Sequence, residues 1–223
     1  MATDVISFRE AADEQFFYLY SGGEGDYERL LVSGMAGHLP RKDGLIQYER
    51  IGPFMPPMCI TAGHIIITDA MYRALMTNAI CEFQVKPVKR AHICRSDWDG
   101  VADLGHIWGV GEPEDQILDK PHDADCAAAL GDLYELLLPV CGNWTTLKFN
   151  SEWSECEFVC PTFSGGELFA LRSPAPDDTR PLCSVRCRRW LEDFGAARWI
   201  QFIPATITRQ GPFGKGLDEQ EGS

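Results

Sequence analysis

The chain has 223 residues, of which 45% are apolar, 11% aromatic and 24% charged, a composition that supports a buried core and excludes disorder as the main state. Its formal charge is −13, from 20 basic and 33 acidic residues, so phosphate backbones repel it and no nucleic-acid partner is expected. No apolar stretch approaches the roughly 20 residues of a membrane-spanning helix, and residues 1–10 lack a basic region followed by an apolar one; the expectation is a cytoplasmic protein with no membrane partner.

Residues 1–20 are expected to form a strand or short helix ending in the aromatic cluster Phe16-Phe17-Tyr18-Leu19-Tyr20, with a turn over Ser21–Asp26. Pro40, Gly44, Gly52, Pro53, Pro56 and Pro57 divide residues 27–58 into loops and short strands. The β-branched run Ile65-Ile66-Ile67 predicts a strand. Thr68 then suits a helix N-cap, and Asp69 places a negative charge in the first turn. Met71, Tyr72, Leu75, Met76 and Ala79 mark one helical face. Phe83, Val85 and Pro87 alternate with polar neighbours as in a half-buried strand.

Further along, Ala127–Leu138 has helical apolar spacing and is stopped by Val140-Cys141-Gly142-Asn143. Thr145–Phe149 and Glu155–Cys160 suggest a strand pair, and Ser164-Gly165-Gly166 leads into the apolar Leu168–Leu171. Ser173–Asp178 is proline-rich and predicts a loop. Pro181-Leu182-Cys183 has the character of a short strand, with Ser184 as the next N-cap. Cys187, Trp190, Leu191 and Phe194 follow at i, i+3, i+4 and i+7, Gly195 suits the C′ position, and Arg188 and Arg189 lie toward the negative end of the dipole. Trp199–Pro204 is the following strand. From Gly211 the tail is polar and is expected to fray.

Aligning Thr68 with Ser184 places Met71 on Cys187 and Leu75 on Leu191. After one inserted residue, Phe83 falls on Ile200, Val85 on Phe202 and Pro87 on Pro204. Two strand–helix–strand units of this kind predict an α+β fold, with two similar lobes packed on mixed sheets. The expected organisation is an N-terminal lobe over residues 1–96, an acidic connecting segment over 97–125, a C-terminal lobe over 126–210 and a flexible tail over 211–223.

The connecting segment concentrates the charge. Asp97, Asp99, Asp103, Glu112, Glu114, Asp115, Asp119, Asp123 and Asp125 face a single base, Lys120. Trp98, Ile107, Trp108, Val110, Ile117 and Leu118 are interspersed, which a purely solubilising tract would not need. Aromatic anchors ringed by charge suit a protein interface. Asp97, Trp98, Asp99, Asp103, Trp108, Glu112, Glu114, Asp115, Asp123 and Asp125 are therefore the expected partner-binding residues.

Nine cysteines, an odd count without an export signal, favour free thiols. Cys156 and Cys160 share a C-x-x-x-C spacing, but along a strand i and i+4 lie about 13 Å apart, too far for one zinc ion. Cys183 and Cys187 straddle a strand-to-helix junction. No metal and no cofactor is expected.

The stretch Phe163-Ser164-Gly165-Gly166-Glu167-Leu168-Phe169-Ala170-Leu171, with Leu182–Pro204, resembles the C-terminal part of a family of bacterial immunity proteins encoded beside polymorphic toxins, related to the double-CxxCG branch. Ile65–Pro87 is similar to the family's other lobe. No C-x-x-C-G occurs here, and Cys141-Gly142 is at most half of one, so a zinc site does not transfer. The resemblance implies binding without chemistry, in which a cognate toxin's C-terminal domain, expected to be basic, is occluded stoichiometrically.

The catalytic alternative has little to build on. Ser21–Gly25 and Gly109-Val110-Gly111 lack the strand-to-helix context of a phosphate cradle, and no G-x-S-x-G or H-E-x-x-H occurs. His122-Asp123-Ala124-Asp125-Cys126 is the densest reactive cluster, and His64 and His92-x-Cys94 remain ambiguous. The alternatives are a small cytoplasmic enzyme with a pocket between the lobes, or a zinc-stabilised adaptor.

Overall fold

The computed structural model describes residues 15–21, 39–52, 55–61, 64–95, 120–175 and 178–209. The run Ile65-Ile66-Ile67 lies in β5 (His64–Thr68), preceded by β4 (Met58–Thr61). Thr68 then caps helix α1 (Asp69–Asn78), its side chain accepting from the Met71 amide at 3.4 Å. Strand β6 (Gln84–Pro87) follows. Near the C-terminus β12 (Leu168–Arg172) and β13 (Thr179–Ser184) form a hairpin. Ser184 caps α3 (Val185–Asp193), and β14 (Ile200–Thr208) completes the series. The two caps share a backbone conformation, φ −76°, ψ 162° at Thr68 and φ −75°, ψ 168° at Ser184. Helix α3 closes on Gly195 at φ 85°, with the Gly195 amide donating to Glu192 and the Ala196 amide to Leu191, the paired bonds of a Schellman ending.

The two units share one topology. Four strands run β4-β5-β8-β6, where β8 is Leu133–Leu137. A seven-stranded sheet contains the run β12-β13-β1-β14, where β1 is Phe16–Ser21. In each, a hairpin leads into a helix, and a strand from elsewhere in the chain lies antiparallel between the strands that flank that helix. The registers also coincide. Thr68 faces Leu133 as Ser184 faces Phe16, and Ile67 faces Tyr134 as Cys183 faces Phe17. On the far side of the inserted strand, Val85 faces Leu136 as Phe202 faces Leu19, and Pro87 faces Tyr134 as Pro204 faces Phe17. The sequence alignment of the two units is thus the alignment of their hydrogen-bond ladders, and the α+β class with two similar lobes on mixed sheets holds.

One expected element changes type. The helical spacing over Ala127–Leu138 resolves into a short helix α2 (Ala124–Ala129) and then strand β8. Gly131 takes φ 68° between them and ends the helix. Leu133–Leu137 is pulled into extended form by β5 and β6, whose backbone groups pair with it from both sides, so tertiary pairing overrides leucine's helical preference. In α1 the buried face is narrower than expected. Met71 and Leu75 are fully buried, but Met76, one residue around the helix, is 60% exposed. Of the alternating residues after α1, Phe83 and Val85 are half-buried and Pro87 is exposed. Neither Arg188 nor Arg189 reaches the last turn of α3, which holds no basic residue; the Arg188 guanidinium lies over the Phe17 ring at 4.4 Å, and its Nε donates to Glu192 at 2.7 Å.

The remaining strands are β2 (Leu39–Lys42), β3 (Leu45–Gly52), β7 (Lys89–Arg95), β9 (Val140–Asn143), β10 (Thr146–Phe149) and β11 (Cys156–Val159). Thr145–Phe149 and Glu155–Cys160 do pair, as β10 with β11. Side-chain alternation divides the interior into layers. Phe17 and Leu19 of β1 meet Ile65 and Ile67 of β5 in a core that both units share, on which α1 and α3 lay Met71, Leu75, Cys187 and Leu191. Phe16 and Tyr18 point the other way, into an aromatic core with Phe158 and Phe169. Ile66 and Leu133 face a third core, roofed by Ile46, Tyr48 and Ile93 of the sheet β2-β3-β7. The seven-stranded sheet runs in order β10-β11-β14-β1-β13-β12-β9, with β10 and β9 as its edge strands. Only Trp144 and Thr145 separate β9 from β10, their amides donating to Arg172 and Val159 respectively. Gly142 of β9 passes so near Cys160 that a Cβ there would lie 2.5 Å from its Sγ.

Equivalent positions also carry polar pairs. His64 and Glu135 correspond by register to Arg180 and Tyr18. His64 Nδ1 lies 3.2 Å from Glu135 Oε1, and Arg180 Nη1 donates to the Tyr18 hydroxyl at 3.1 Å. Glu135, 3% exposed, also accepts two bonds from Arg41, at 2.9 and 2.6 Å. Burial pushes its carboxyl pKa up, but the bonds from Arg41 and His64 outweigh burial and bring it down to about 2 from 4.5. A depressed carboxylate stabilises the fold above its unfolded pKa and ceases to do so as pH falls through the folded value. Unfolding monitored by denaturant should therefore show a contribution from Arg41 that is complete above pH 4.5 and disappears toward pH 2. Arg41→Ala should cost about 2 kcal/mol at pH 7, less than for breaking a fully buried pair because Arg41 is partly exposed, and little at pH 2.

Candidate functional site

Of the expected partner-binding residues, Asp97, Trp98, Asp99, Asp103, Trp108, Glu112, Glu114 and Asp115 lie outside the described residues. Asp123 and Asp125 are described, and they stand where the acidic segment rejoins the fold. The described chain ends β7 at Arg95 and resumes at Lys120, and a set of bonds fastens these two places together. The Asp123 amide donates to the Ile93 carbonyl at 2.7 Å, and the Ile93 amide donates to His122 Nδ1 at 3.1 Å. Arg95 Nε donates to Asp123 Oδ2 at 2.7 Å. Asp123 also N-caps α2 by accepting from the Cys126 amide at 2.8 Å. The bond from Arg95, then that from the Cys126 amide, holds its carboxyl well below the usual carboxylate range. Asp123 is therefore committed to closing the segment's base. Asp125 is 95% exposed, with an oxygen 4.0 Å from Arg95, and remains available to a partner.

Beside this clasp three reactive groups stand in a row. Glu49 of β3 pairs in register with His92 of β7, and its Oε1 lies 3.4 Å from His92 Nδ1. His92 Nε2 lies 2.8 Å from the Lys120 carbonyl and 3.4 Å from Cys94 Sγ. A carbonyl only accepts, so Nε2 carries a proton toward Lys120. A thiol beside an imidazole that a carboxylate orients is the pattern of an activated nucleophile, but here the imidazole's Nε2 proton is held by backbone. Cys94 is fully buried, and burial pushes its thiol pKa up. The row suits fastening Lys120 better than covalent chemistry. His122 and Cys126 serve separate ends: the His122 ring receives the Ile93 amide, whereas Cys126 enters the core with Ile93 and Tyr48.

All nine cysteines are free. Burial raises the pKa of Cys59 to about 11 and of Cys81 and Cys156 to about 12, leaving neutral thiols that behave as small apolar groups. Among the described residues no group of three His, Cys, Asp or Glu is arranged to hold a metal ion. Nor is any described helix long and apolar enough to cross a membrane.

Sequence reasoning passed over Trp153, which sits at the tip of the β10–β11 hairpin. Asn150 builds this tip, its side-chain oxygen accepting from the Ser154 amide at 2.9 Å and its backbone amide donating to Glu155 at 3.1 Å. Trp153 is 65% exposed, takes φ 56° and stacks on Phe149 with ring centroids 4.5 Å apart. A bulky residue in left-handed conformation is uncommon and strained. The available signal was a large aromatic inside a polar turn, Asn150-Ser151-Glu152-Trp153-Ser154-Glu155.

No family model, curated protein or solved structure matches this chain. Trp153→Gly and Trp153→Ala both lose the stack on Phe149, but only glycine accepts the positive φ freely. The glycine variant should be the more stable by about 1 kcal/mol, as measured by urea unfolding.

Proposed function

We propose that this protein is an immunity protein, which binds a cognate secreted bacterial toxin in the cytoplasm and blocks it by stoichiometric occlusion. The observation that carries this reading is the concentration of nine acids against one base between Asp97 and Asp125, in a segment whose two ends are clasped by Arg95–Asp123 and His92–Lys120. A clasped base limits the conformations a binding segment must give up on docking, which favours affinity. The excess negative charge attracts a basic surface over distance and raises the association rate. Trp98 and Trp108, with Ile107 and Ile117, supply the apolar contacts that slow dissociation. The resemblance of Phe163–Leu171 and Leu182–Pro204 to the immunity-protein pattern supports the same reading, as does the duplicated unit around it. On this view the cognate partner is the toxin's basic C-terminal domain, and neither nucleic acid nor membrane is bound.

The row Glu49–His92–Cys94 favours a second reading, a thiol-dependent enzyme, in which Cys94 would be the group to test. The two readings separate in one set of measurements against the variable C-terminal domain of a large secreted protein encoded next to this gene. Neutralising Asp97, Asp99, Glu112, Glu114 and Asp115 to their amides should slow association about tenfold and flatten its dependence on salt. Trp108→Ala should mainly speed dissociation. Cys94→Ser should leave both rates and cell rescue unchanged. Binding that ignores the charge and Trp108 changes, or protection lost in Cys94→Ser with binding intact, would remove the immunity reading.

A further inference from the structure

We infer that the tip of the β10–β11 hairpin is a second contact point for the same partner, built to receive an arginine side chain from a basic protein surface; this rests on the immunity reading for the partner's identity but not for its chemistry. The Trp153 indole is 65% exposed and is fixed from behind by its stack on Phe149. The aromatic strip continues inward, with Phe149 and Tyr18 at 6.1 Å and Tyr18 and Tyr20 at 6.0 Å between centroids, and it emerges again at Tyr20, which is 47% exposed. Such an indole loses little freedom on binding, because its platform already exists in the free protein.

The surrounding charge selects the occupant. Glu152 and Glu155, both exposed, flank Trp153 in a turn, residues 150–155, that contains no lysine or arginine; Glu157 faces Lys148 across the ladder, on the sheet face opposite Phe149. Carboxylates around an aromatic face repel a nucleic-acid phosphate and attract a cation. A guanidinium stacks flat on an indole while its edge donates to carboxylates, whereas an ammonium offers a more strongly hydrated point charge. Arginine is thus preferred to lysine. The strained backbone at Trp153 fits a residue kept for contact rather than for the turn itself. The site lies on described, bonded structure and does not depend on residues 97–119.

The test uses nona-arginine and nona-lysine peptides of equal charge against the full chain, following the indole N–H resonances of its six tryptophans by NMR, with Trp153 assigned through Trp153→Phe. The arginine peptide should move the Trp153 resonance and bind at least fivefold more tightly than the lysine peptide. Trp153→Ala should weaken arginine-peptide binding about tenfold, and the Glu152→Gln, Glu155→Gln double variant about fivefold. Equal affinity for both peptides, an unmoved Trp153 signal, or a shift caused by a single-stranded oligonucleotide and not by the arginine peptide overturns the inference. The toxin domain separates the two proposals. If it binds the full chain while Trp153→Ala leaves its dissociation rate unchanged, this contact is wrong and the immunity reading stands. Peptide recognition at Trp153 without any binding of the toxin domain leaves the contact standing and overturns its assigned partner.

Discussion

Each half of this fold depends on a gap being filled. Where a helix connects two parallel strands that are not neighbours, those strands stand about 10 Å apart, twice the usual spacing, and only a third strand can satisfy the backbone groups facing the gap. In the first unit β8 fills it, and in the second β1 does. Neither filler is adjacent in sequence to both strands it joins, so the two units cannot be cut apart at a single point of the chain. The alternation of β1, with Phe17 and Leu19 on one face and Phe16 and Tyr18 on the other, then links the shared core to the aromatic core on the opposite side of the seven-stranded sheet.

This arrangement explains how an acidic segment can be carried without disturbing the fold. Strand β7 and helix α2 sit on the three-stranded sheet, away from the two helices at the centre. Within the clasp Arg95 is matched by Asp123, and the Glu49 carboxylate lies beside the His92 ring, while most of the surplus charge falls on the segment itself. A thiol-rich interior is consistent with the same economy of reactivity, because burial keeps these groups protonated.

Much of the repeated unit was legible because its signals are local. Three consecutive isoleucines, a capping threonine or serine and apolar residues at helical spacing each follow from near neighbours, and Gly195 marks its own helix end. What was not legible depended on distant partners. Leu133–Leu137 has apolar positions that fit a helix about as well as a strand, and only β5 and β6 decide the matter. The acidic segment was visible as composition, yet the separation of Asp123, a clasp and cap, from Asp125, an exposed charge, needs the positions of Arg95 and the Cys126 amide. Trp153 escaped notice because its environment is a backbone angle and a ring stack, neither of which leaves a pattern in residue types. The pairing of Glu49 with His92 was equally hidden, since it spans strands far apart in sequence.

The insertion of β1 also bears on the order in which the molecule can assemble. Phe16–Ser21 leaves the ribosome well before both of its neighbours, β13 and β14, which lie between residues 179 and 208. Until they are made this highly aromatic strand must stay out of wrong pairings, and the seven-stranded sheet cannot close around it before β14 has been synthesised. A chain stalled or truncated before β14 would present an unmatched aromatic edge, the kind of surface that chaperones hold and proteases remove.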